Sequence, residues 1–317
     1  MNLLITGGAG FIGSNFIEMI LQDKREFISK VVNLDALTYA GSLNNTKDFE
    51  NDEKYFFEKV DLRNLSQLLE VFIKHNITHV VHLAAESHVD NSILDPSAFI
   101  ESNIVGTFNL LKIAQQVGVE RFHHVSTDEV YGDLGPTGKF KETTPYNPRN
   151  PYSASKAASD FLVRSYFHTY KFPVTISNCS NNYGPRQHKE KFIPTVLYSI
   201  LNGDKIPLYG KGTNVRDWIY VNDHCEGIWR VLQHGKLGET YCIGAECEKR
   251  NIDVIEIICE CLNVSASECI EHVKDRPGHD QRYAIDTSKM HKNLNWLAET
   301  AFDEGIKKTI KWYNDRY

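Results

Sequence analysis

Three glycines, three residues apart, follow a short apolar segment at the start of the chain. The segment covers residues 3–6, the glycines are Gly7, Gly10 and Gly13, and residues 14–21 then show a helical pattern. Glycine permits a tight turn, a close backbone approach to a ligand, and close packing of the helix against the strand. The N–H groups at such a helix N-terminus favour phosphate. This arrangement predicts the first βα unit of a doubly wound α/β fold.

A second predicted strand, residues 30–35, ends in Asp35, which lies 22 residues after Gly13. In dinucleotide-binding units, a carboxylate about 20 residues beyond the glycines binds the ribose hydroxyls of adenosine. A carboxylate at this position repels a 2′-phosphate, so the sequence favours NAD over NADP. A glycine-rich turn without a ligand is the alternative.

The segments that follow alternate between strand-like and helix-like patterns. Strands are predicted at residues 55–60, 78–85, 121–126 and 174–178, and helices at residues 65–75, 96–117 and 151–170. This order predicts a mostly parallel Rossmann sheet with helices on both faces and ligands at its carboxyl edge. We expect an NAD-binding domain of residues 1–182 and 215–245. A smaller α/β lobe of residues 183–214 and 246–317 would bind the substrate.

The composition limits the partners that the chain can have. Lys and Arg number 35 against 41 Asp and Glu, so the net charge of −6 provides no general field for nucleic acid. No apolar run has membrane-spanning length, and the nucleotide motif occupies the position of a signal segment. The seven cysteines include no C-x-x-C pair and are typical of reduced thiols in a cytoplasmic protein. The histidines lack metal-site spacing, and we expect no metal.

Two adjacent carboxyl groups, Asp128 and Glu129, follow the predicted strand at residues 121–126. An acid and a base side by side are what elimination of water requires, whereas a plain dehydrogenase needs only one proton-transfer group. The alternative is a polar strand end in solvent.

Tyr152 and Lys156 lie four residues apart at the start of a predicted helix, so their side chains share one face. A nearby ammonium favours phenolate, and we therefore expect Lys156 to lower the pKa of Tyr152. Such a tyrosine can remove a proton from a sugar hydroxyl while hydride leaves the carbon.

Together, the glycine motif, the Ser126-Thr127 strand end and Tyr152-x-x-x-Lys156 resemble the extended short-chain dehydrogenase/reductase family of NAD-dependent epimerases and dehydratases. The resemblance covers essentially the whole chain, and its most specific segments are residues 35–41, 82–90, 126–132, 178–185, 216–218 and 275–279. Residues 185–190 are more charged than the family pattern leads us to expect.

The resemblance implies dehydration of the nucleotide sugar dTDP-glucose to its 4-keto-6-deoxy product, with NAD⁺ regenerated in each cycle. Tyr152 would remove the O4 proton while C4 gives up hydride, with Thr127 bonded near O4. Glu129 would then remove the C5 proton and Asp128 would protonate the departing O6 hydroxyl, after which hydride returns to C6. Asp128 must be protonated at that moment, so we expect burial and Glu129 to raise its pKa.

The resemblance also implies the site residues. The catalytic residues are Thr127, Asp128, Glu129, Tyr152 and Lys156. The cofactor-binding residues are Gly7, Gly10, Phe11, Ile12, Gly13, Asp35, Leu37, Thr38, Asp61, Leu62, Leu83, Ala84, Ala85, Ser102, Tyr152, Lys156 and Asn182. The substrate-binding residues are Ser87, Thr127, Asn181, Lys191, Phe192, Pro207, Tyr209, Arg216, Asn251, Asp275, Arg276 and His279. Of these, Arg216 and Arg276 would bind the diphosphate, because a planar guanidinium suits phosphate oxygens.

Apolar residues occur on more than one face of the helices near 97–117 and 151–170. The family pairs these helices with those of a second subunit in a four-helix bundle, so we expect a homodimer. The same resemblance implies a role in deoxysugar biosynthesis, such as the rhamnose pathway.

Other functions remain open. An epimerase would share the cofactor motif and Tyr152/Lys156 but would not need two carboxyls at 128 and 129. A decarboxylase or 4,6-dehydratase acting on a UDP- or GDP-linked sugar would keep a glutamate near 129 with a smaller polar residue before it. A non-catalytic NAD-binding regulator would typically lack Tyr152 or Lys156.

Overall fold

The computed structural model of the protein describes residues 1–23, 27–275 and 278–316. The strands are β1 (Asn2–Thr6), β2 (Lys30–Asp35), β3 (Tyr55–Lys59), β4 (His79–His82), β5 (Arg121–Thr127), β6 (Val174–Cys179), β7 (Asn181–Tyr183), β8 (Ile206–Tyr209), β9 (Val215–Tyr220), β10 (Thr240–Ile243), β11 (Glu248–Arg250) and β12 (Ile270–Val273). The helices are α1 (Phe11–Gln22), α2 (Leu65–His75), α3 (Val89–Leu94), α4 (Ser97–Phe99), α5 (Gly106–Val117), α6 (Pro151–Tyr170), α7 (Phe192–Asn202), α8 (Val221–His234), α9 (Asn251–Cys261), α10 (Ala266–Cys269), α11 (Ser288–Leu294) and α12 (Phe302–Asn314).

Seven parallel strands form the main sheet in the order β10-β6-β5-β4-β1-β2-β3. The chain builds outward from β1 through β2 to β3 and then crosses to β4 on the other side of β1. This switch point opens a crevice at the carboxyl ends of β1 and β4, where doubly wound sheets bind ligands. The Rossmann fold expected from the alternating pattern is confirmed.

Apolar side chains cover both faces of the sheet. One layer packs α1 and α8 on it and includes Phe16, Ile228 and Trp229. The opposite layer packs α2, α5 and α6 and includes Phe72 and Leu110. Burial on both faces explains why the central strand β1 reads as a continuous apolar run, Leu3 to Ile5, rather than an alternating pattern.

A smaller lobe has its own apolar core, built around Tyr183, Trp218 and Ile255. Its strands form a three-stranded sheet in the order β11-β9-β7 and a parallel pair of β8 with β12. The predicted return to the main sheet is made by β10, which pairs with β6, whereas β9 belongs to the three-stranded sheet.

The helix predicted at residues 96–117 is interrupted by a π-helical turn, Ile100–Val105, between α4 and α5. Within this turn the carbonyl of Asn103 accepts hydrogen bonds from the Thr107 and Ser159 hydroxyls. Side chains thus satisfy a carbonyl where the regular helical pattern is interrupted. Gly118 ends the helix in the left-handed conformation, as expected for a helix stop.

No helix within the described part of the chain combines the length and apolar character needed to cross a bilayer.

Candidate active site

A cavity of about 330 Å³ runs along the carboxyl edge of the main sheet. Its walls come from the glycine-rich turn, the ends of β2, β4, β5 and β6, the start of α6 and the loop before α7. The predicted residues that line it are Gly7, Gly10, Phe11, Ile12, Gly13, Asp35, Thr38, Asp61, Leu62, Leu83, Ala84, Ala85, Ser87, Ser102, Thr127, Asp128, Glu129, Tyr152, Lys156, Asn181, Asn182 and Lys191.

The glycine-rich turn requires glycine at two positions. A Cβ on Gly13 would lie 2.3 Å from the Gly7 carbonyl oxygen. A Cβ on Gly7 would lie 2.8 Å from the Ala84 backbone, and the φ of Gly7 is +71°. Gly10 caps α1 without a side-chain hydrogen bond, so the N-terminus of the helix faces the cavity with backbone alone. A cradle of this kind fits the pyrophosphate of a dinucleotide.

Asp35 lies at the end of β2 on the same wall. Its carboxylate accepts the backbone N–H groups of Ala9 at 3.0 Å and Leu37 at 2.8 Å. Burial raises the pKa of Asp35, and these two hydrogen bonds oppose the rise. The side chain is therefore fixed beside the glycine-rich turn, where it fits the ribose of a dinucleotide. Leu37 does not line the cavity, and it contributes its backbone N–H instead.

The opposite end of the cavity contains the predicted catalytic residues. Thr127 ends β5, and its hydroxyl accepts the backbone N–H of Glu129 at 3.3 Å, which caps a 3₁₀ turn over Asp128–Tyr131. The same hydroxyl donates to Oδ1 of Asp128 at 3.4 Å, and its interaction with the Tyr152 phenol acts to lower the pKa of that phenol. The end of β5, the 3₁₀ turn and the start of α6 together bring the threonine, both carboxyls and the tyrosine to one place.

Asp128 is buried, and its Oδ2 atom has no hydrogen-bond partner among the described residues. Burial raises its pKa well above the usual value, and the charges of Glu129 and Asp217 raise it further. Arg216 and the Thr127 hydroxyl oppose the rise. The expected direction is confirmed, because a buried carboxyl beside like charges favours its neutral, proton-donating form.

Tyr152 and Lys156 both lie on the first turns of α6, whose N-terminus is fixed by a capping box at Asn150. The expectation that Lys156 lowers the pKa of Tyr152 is wrong for this structure. Burial raises the pKa of Tyr152 well above its usual value, Glu129 adds to the rise, and the Thr127 hydrogen bond opposes it. The Lys156 ammonium donates to the Val125 carbonyl at 2.9 Å.

A buried polar network lies behind Lys156. Burial lowers the pKa of Lys156, and the nearby Asp160 carboxylate opposes that fall. Asp160 accepts from His124 Nε2 at 3.1 Å, the Tyr146 hydroxyl at 2.7 Å and Asn178 Nδ2 at 3.2 Å. Because buried charges need such partners, Asp160 provides a satisfied counter-charge for the lysine.

A smaller cavity of about 60 Å³ adjoins the first, and Glu129 and Asn181 border both. Arg216 and His279 also line it, with Val89, Asn150, Gly278, Asp280 and Tyr283. The Arg216 guanidinium lies 4.3 Å above the Tyr283 ring and donates to the carbonyls of Val215 and Asp280. The predicted diphosphate-binding arginine is therefore held rigidly beside Glu129.

Five predicted substrate residues line neither cavity: Phe192, Pro207, Tyr209, Asn251 and Asp275. Phe192 stacks on Trp218 in the core of the lobe, and Asn251 begins α9. Tyr209 and Asp275 adjoin His279, through a ring contact of 6.3 Å and an ion pair of 2.7 Å respectively. Pro207 lies on β8. Arg276 falls outside the described residues.

Several residues that line the cavity were not predicted, among them Glu86, Ser126, Cys179, Ser180, Gln187, His188 and Glu190. Cys179 ends β6 and Ser180 follows it, and the neighbouring strand β5 ends at Thr127, so the parallel register could have identified both residues. Gln187, His188 and Glu190 belong to an irregular loop with no periodic signal. Only their unusual charge distinguished them in the sequence.

Comparison with known proteins places these features in context. Residues 4–309 match the family described as GDP-mannose 4,6 dehydratase. The dTDP-glucose 4,6-dehydratase of Neisseria gonorrhoeae is 48% identical over 99% of this chain and 96% of its own length. The dTDP-glucose 4,6-dehydratase 1 of Escherichia coli K12 is 47% identical over 99% and 92%, respectively.

Solved structures show the same fold. DesIV, a dTDP-glucose 4,6-dehydratase from Streptomyces venezuelae crystallised with NAD and dTDP, is 42% identical with a TM-score of 0.96, covering 99% of this chain and 97% of that one. The NAD complex of UDP-glucose 4-epimerase from Thermus thermophilus is 30% identical with a TM-score of 0.91 and full coverage of both chains, 100% each.

Proposed function

The chain belongs to the dTDP-glucose 4,6-dehydratase family of extended short-chain dehydrogenases, and from this premise we propose that it converts dTDP-glucose to dTDP-4-keto-6-deoxyglucose. The observation that carries the proposal is the buried Asp128 beside Glu129, within one cavity that also contains Tyr152 and Thr127. Epimerisation at C4 has no use for this carboxyl pair, whereas loss of water needs an acid and a base.

NAD is the cofactor that the cavity fits, with the glycine-rich turn for its pyrophosphate and Asp35 for its ribose. When bound, NAD⁺ accepts hydride from C4 of the hexose and returns it at C6, and its positive charge favours the Tyr152 phenolate. The reaction is therefore redox-neutral, and the same cofactor molecule serves the next cycle.

Tyr152 takes the proton of the O4 hydroxyl as C4 is oxidised. Thr127 lines the same cavity as Tyr152 and, in this proposal, hydrogen-bonds near O4. Lys156, fixed on the Val125 carbonyl, supplies positive charge from the same helix face. These three residues perform the oxidation half of the chemistry.

Glu129 then takes the C5 proton, which the new 4-keto group has made acidic. Asp128 gives its proton to the O6 hydroxyl, which leaves C6 as water. Its raised pKa favours retention of that proton until it is needed, and its unbonded Oδ2 can turn to the leaving oxygen. After hydride has returned to C6, a proton returns to C5, and the net change is loss of one water molecule.

On the substrate side, we propose that Arg216 and His279 at the smaller cavity, together with Lys191 and Asn181, bind the nucleoside diphosphate. The Arg216 guanidinium is buried and held by carbonyls, so it presents a fixed positive charge to phosphate. Residues 183–214 and 246–317 form the sugar-nucleotide lobe in this proposal, and residues 1–182 and 215–245 the NAD-binding domain.

We further propose a homodimer that acts in the cytoplasm in deoxysugar biosynthesis, for example in the rhamnose pathway. Exposed apolar side chains on the π-helical turn, α5 and α6 support the dimer, including Ile100 at 49%, Phe108 at 42% and Phe161 at 55% exposure. All seven cysteines are free thiols, which supports a reducing compartment.

Incubation of the purified protein with dTDP-glucose, followed by alkali, tests the activity. The expected result is the near-ultraviolet chromophore of a 4-keto-6-deoxy sugar. UDP-glucose and GDP-mannose, assayed in parallel, decide between nucleotide-sugar classes. Interconversion of glucose and galactose without loss of water would instead identify an epimerase.

A further inference from the structure

Arg186 connects the loop in front of α7 to the helix that begins at the glycine-rich turn. Its guanidinium makes a bidentate ion pair with Glu18 of α1, at 2.7 Å and 3.0 Å. Longer contacts of 3.4 Å reach Asn15 Oδ1 and Asp48 Oδ2. The Arg186 side chain is 4% exposed and that of Glu18 is 26% exposed, so the guanidinium is buried while the carboxylate keeps partial contact with solvent. The pair joins two segments that lie far apart in the sequence.

The backbone around Arg186 supports the same connection. Arg186 has a φ of +68°, a left-handed backbone conformation that residues other than glycine rarely adopt. Asn15 of α1 donates to the carbonyls of Phe11 and Pro185, so the loop is attached to the helix by a second route. Strained backbone of this kind persists where surrounding contacts fix it.

The two segments that this connection joins both contribute to the walls of the main cavity. On one side, α1 supplies Phe11, Ile12 and Gly13 to the cofactor half. On the other, the loop supplies residues 187, 188, 190 and 191. The carbonyl of Gln187 also accepts the Tyr313 hydroxyl, which anchors the loop to α12 of the lobe. The Arg186–Glu18 pair therefore joins the wall nearest the pyrophosphate to the wall formed by the lobe.

We propose that Arg186 and Glu18 are positioning residues that fix the loop at residues 187–191 over the cavity and so retain NAD between turnovers. This inference rests on the proposed function, because a hydride that passes from the sugar to NAD⁺ and back requires the same cofactor to stay bound. A bidentate pair with a buried guanidinium suits this role, since breaking it would leave the Arg186 charge without its main partner. The pair does not contact the reacting atoms, and its effect is on cofactor release.

The test measures NAD release in the absence of any sugar. Protein loaded with labelled NAD is mixed with excess unlabelled NAD, and loss of label is followed for wild type, Glu18→Gln and Arg186→Met. Loss of a charge-assisted hydrogen-bond pair is expected to accelerate release by about tenfold or more. Arg316→Gln is the control, because it removes an outer contact to Asp48 at 3.5 Å and a contact with the Trp312 ring but leaves the Arg186–Glu18 pair in place. Its release rate should match wild type.

A double variant separates positioning from folding. Glu18→Met with Arg186→Met leaves no stranded charge, so its melting temperature should recover relative to Arg186→Met. Release of NAD should nevertheless stay fast, because the connection is still missing. Slow release in the double variant, or unchanged release in Glu18→Gln with a lowered melting temperature, would overturn the inference. Because no sugar is used, the result does not depend on whether wild type converts dTDP-glucose, which the chromophore assay decides separately.

Discussion

Asp128 and Glu129 are adjacent in sequence but occupy different surroundings: Asp128 is 2% exposed, whereas Glu129 is half-buried and borders both cavities. The last residue of β5 and the 3₁₀ turn that follows it cause this difference. Both carboxyls line the main cavity, but the deeper burial of Asp128 favours its protonated form, whereas Glu129 also borders the smaller cavity. Adjacent residues can then act as acid and base at the same pH.

Replacement of Asp128 by asparagine should abolish dehydration but leave oxidation at C4. We expect turnover to fall by about 10²- to 10⁴-fold, because the O6 hydroxyl no longer receives a proton. Reduced nicotinamide should accumulate on mixing with dTDP-glucose, as seen by its absorbance, and the C5 hydrogen should still exchange with deuterated water. The exposed Asp204→Asn is the matched control and should behave as wild type. Normal dehydration by Asp128→Asn would remove Asp128 from the mechanism.

Replacement of Glu129 by glutamine should stop the reaction one step earlier. The base for C5 is lost, so we expect a fall in turnover of similar size, about 10²- to 10⁴-fold, without deuterium exchange at C5. Mass spectrometry of the recovered sugar nucleotide measures that exchange. The contrast with Asp128→Asn separates the roles of the two carboxyls, and exchange at the wild-type rate would show that another group is the base.

The buried Asp128 should cost stability at neutral pH. Its pKa is raised in the folded protein, so above the unfolded pKa of about 3.9 the unfolded chain releases a proton that the folded chain keeps. Stability therefore falls as pH rises towards the folded pKa, by up to about 1.4 kcal/mol per pH unit. Asp128→Asn should be more stable than wild type at neutral pH, with no advantage below the unfolded pKa. Denaturant unfolding at several pH values checks this, and a difference independent of pH would contradict it.

Replacement of Asp160 by asparagine should change both stability and the pH profile. Asp160 is fully buried and accepts from His124, Tyr146 and Asn178, so we expect a loss of about 3 kcal/mol in the free energy of unfolding. Burial lowers the pKa of Lys156, and the Asp160 carboxylate raises it in opposition. Without the Asp160 carboxylate, Lys156 should lose its proton at a lower pH. The alkaline limit of turnover should therefore move to lower pH. Reduced stability with an unchanged alkaline limit would confine Asp160 to a structural role.

Replacement of Phe108 by glutamate should produce monomers if the exposed face of α5 is the dimer interface. A charge buried in an apolar interface has no partner, so association should weaken strongly. Sedimentation at micromolar concentration measures the mass. Ile73→Glu on α2 is the control, since Ile73 is 67% exposed on a different helix and its variant should remain a dimer. A monomeric wild type would contradict the dimer itself.

Local sequence determined the secondary-structure elements and the part of the cavity that fits the cofactor. The bounds predicted for β2, α2 and α6 agree with the structure, because apolar periodicity, caps and stop signals depend on residues close in sequence. Gly7 and Gly13 were predictable for the same reason, since the turn between β1 and α1 needs them for its own geometry. The polar ends of β4 and β5 then identified the edge at which the cavity lies.

Tertiary structure alone decided the electrostatics and the far wall of the cavity. Lysine four residues away predicted a lowered pKa for Tyr152, but burial and Glu129 raise it, and burial is a property of the packed fold. Arg186 was visible only as an unexpected charge, whereas its partner Glu18 lies 168 residues earlier in the chain. Such contacts have no local signal, because they depend on which distant segments the sheet order brings together.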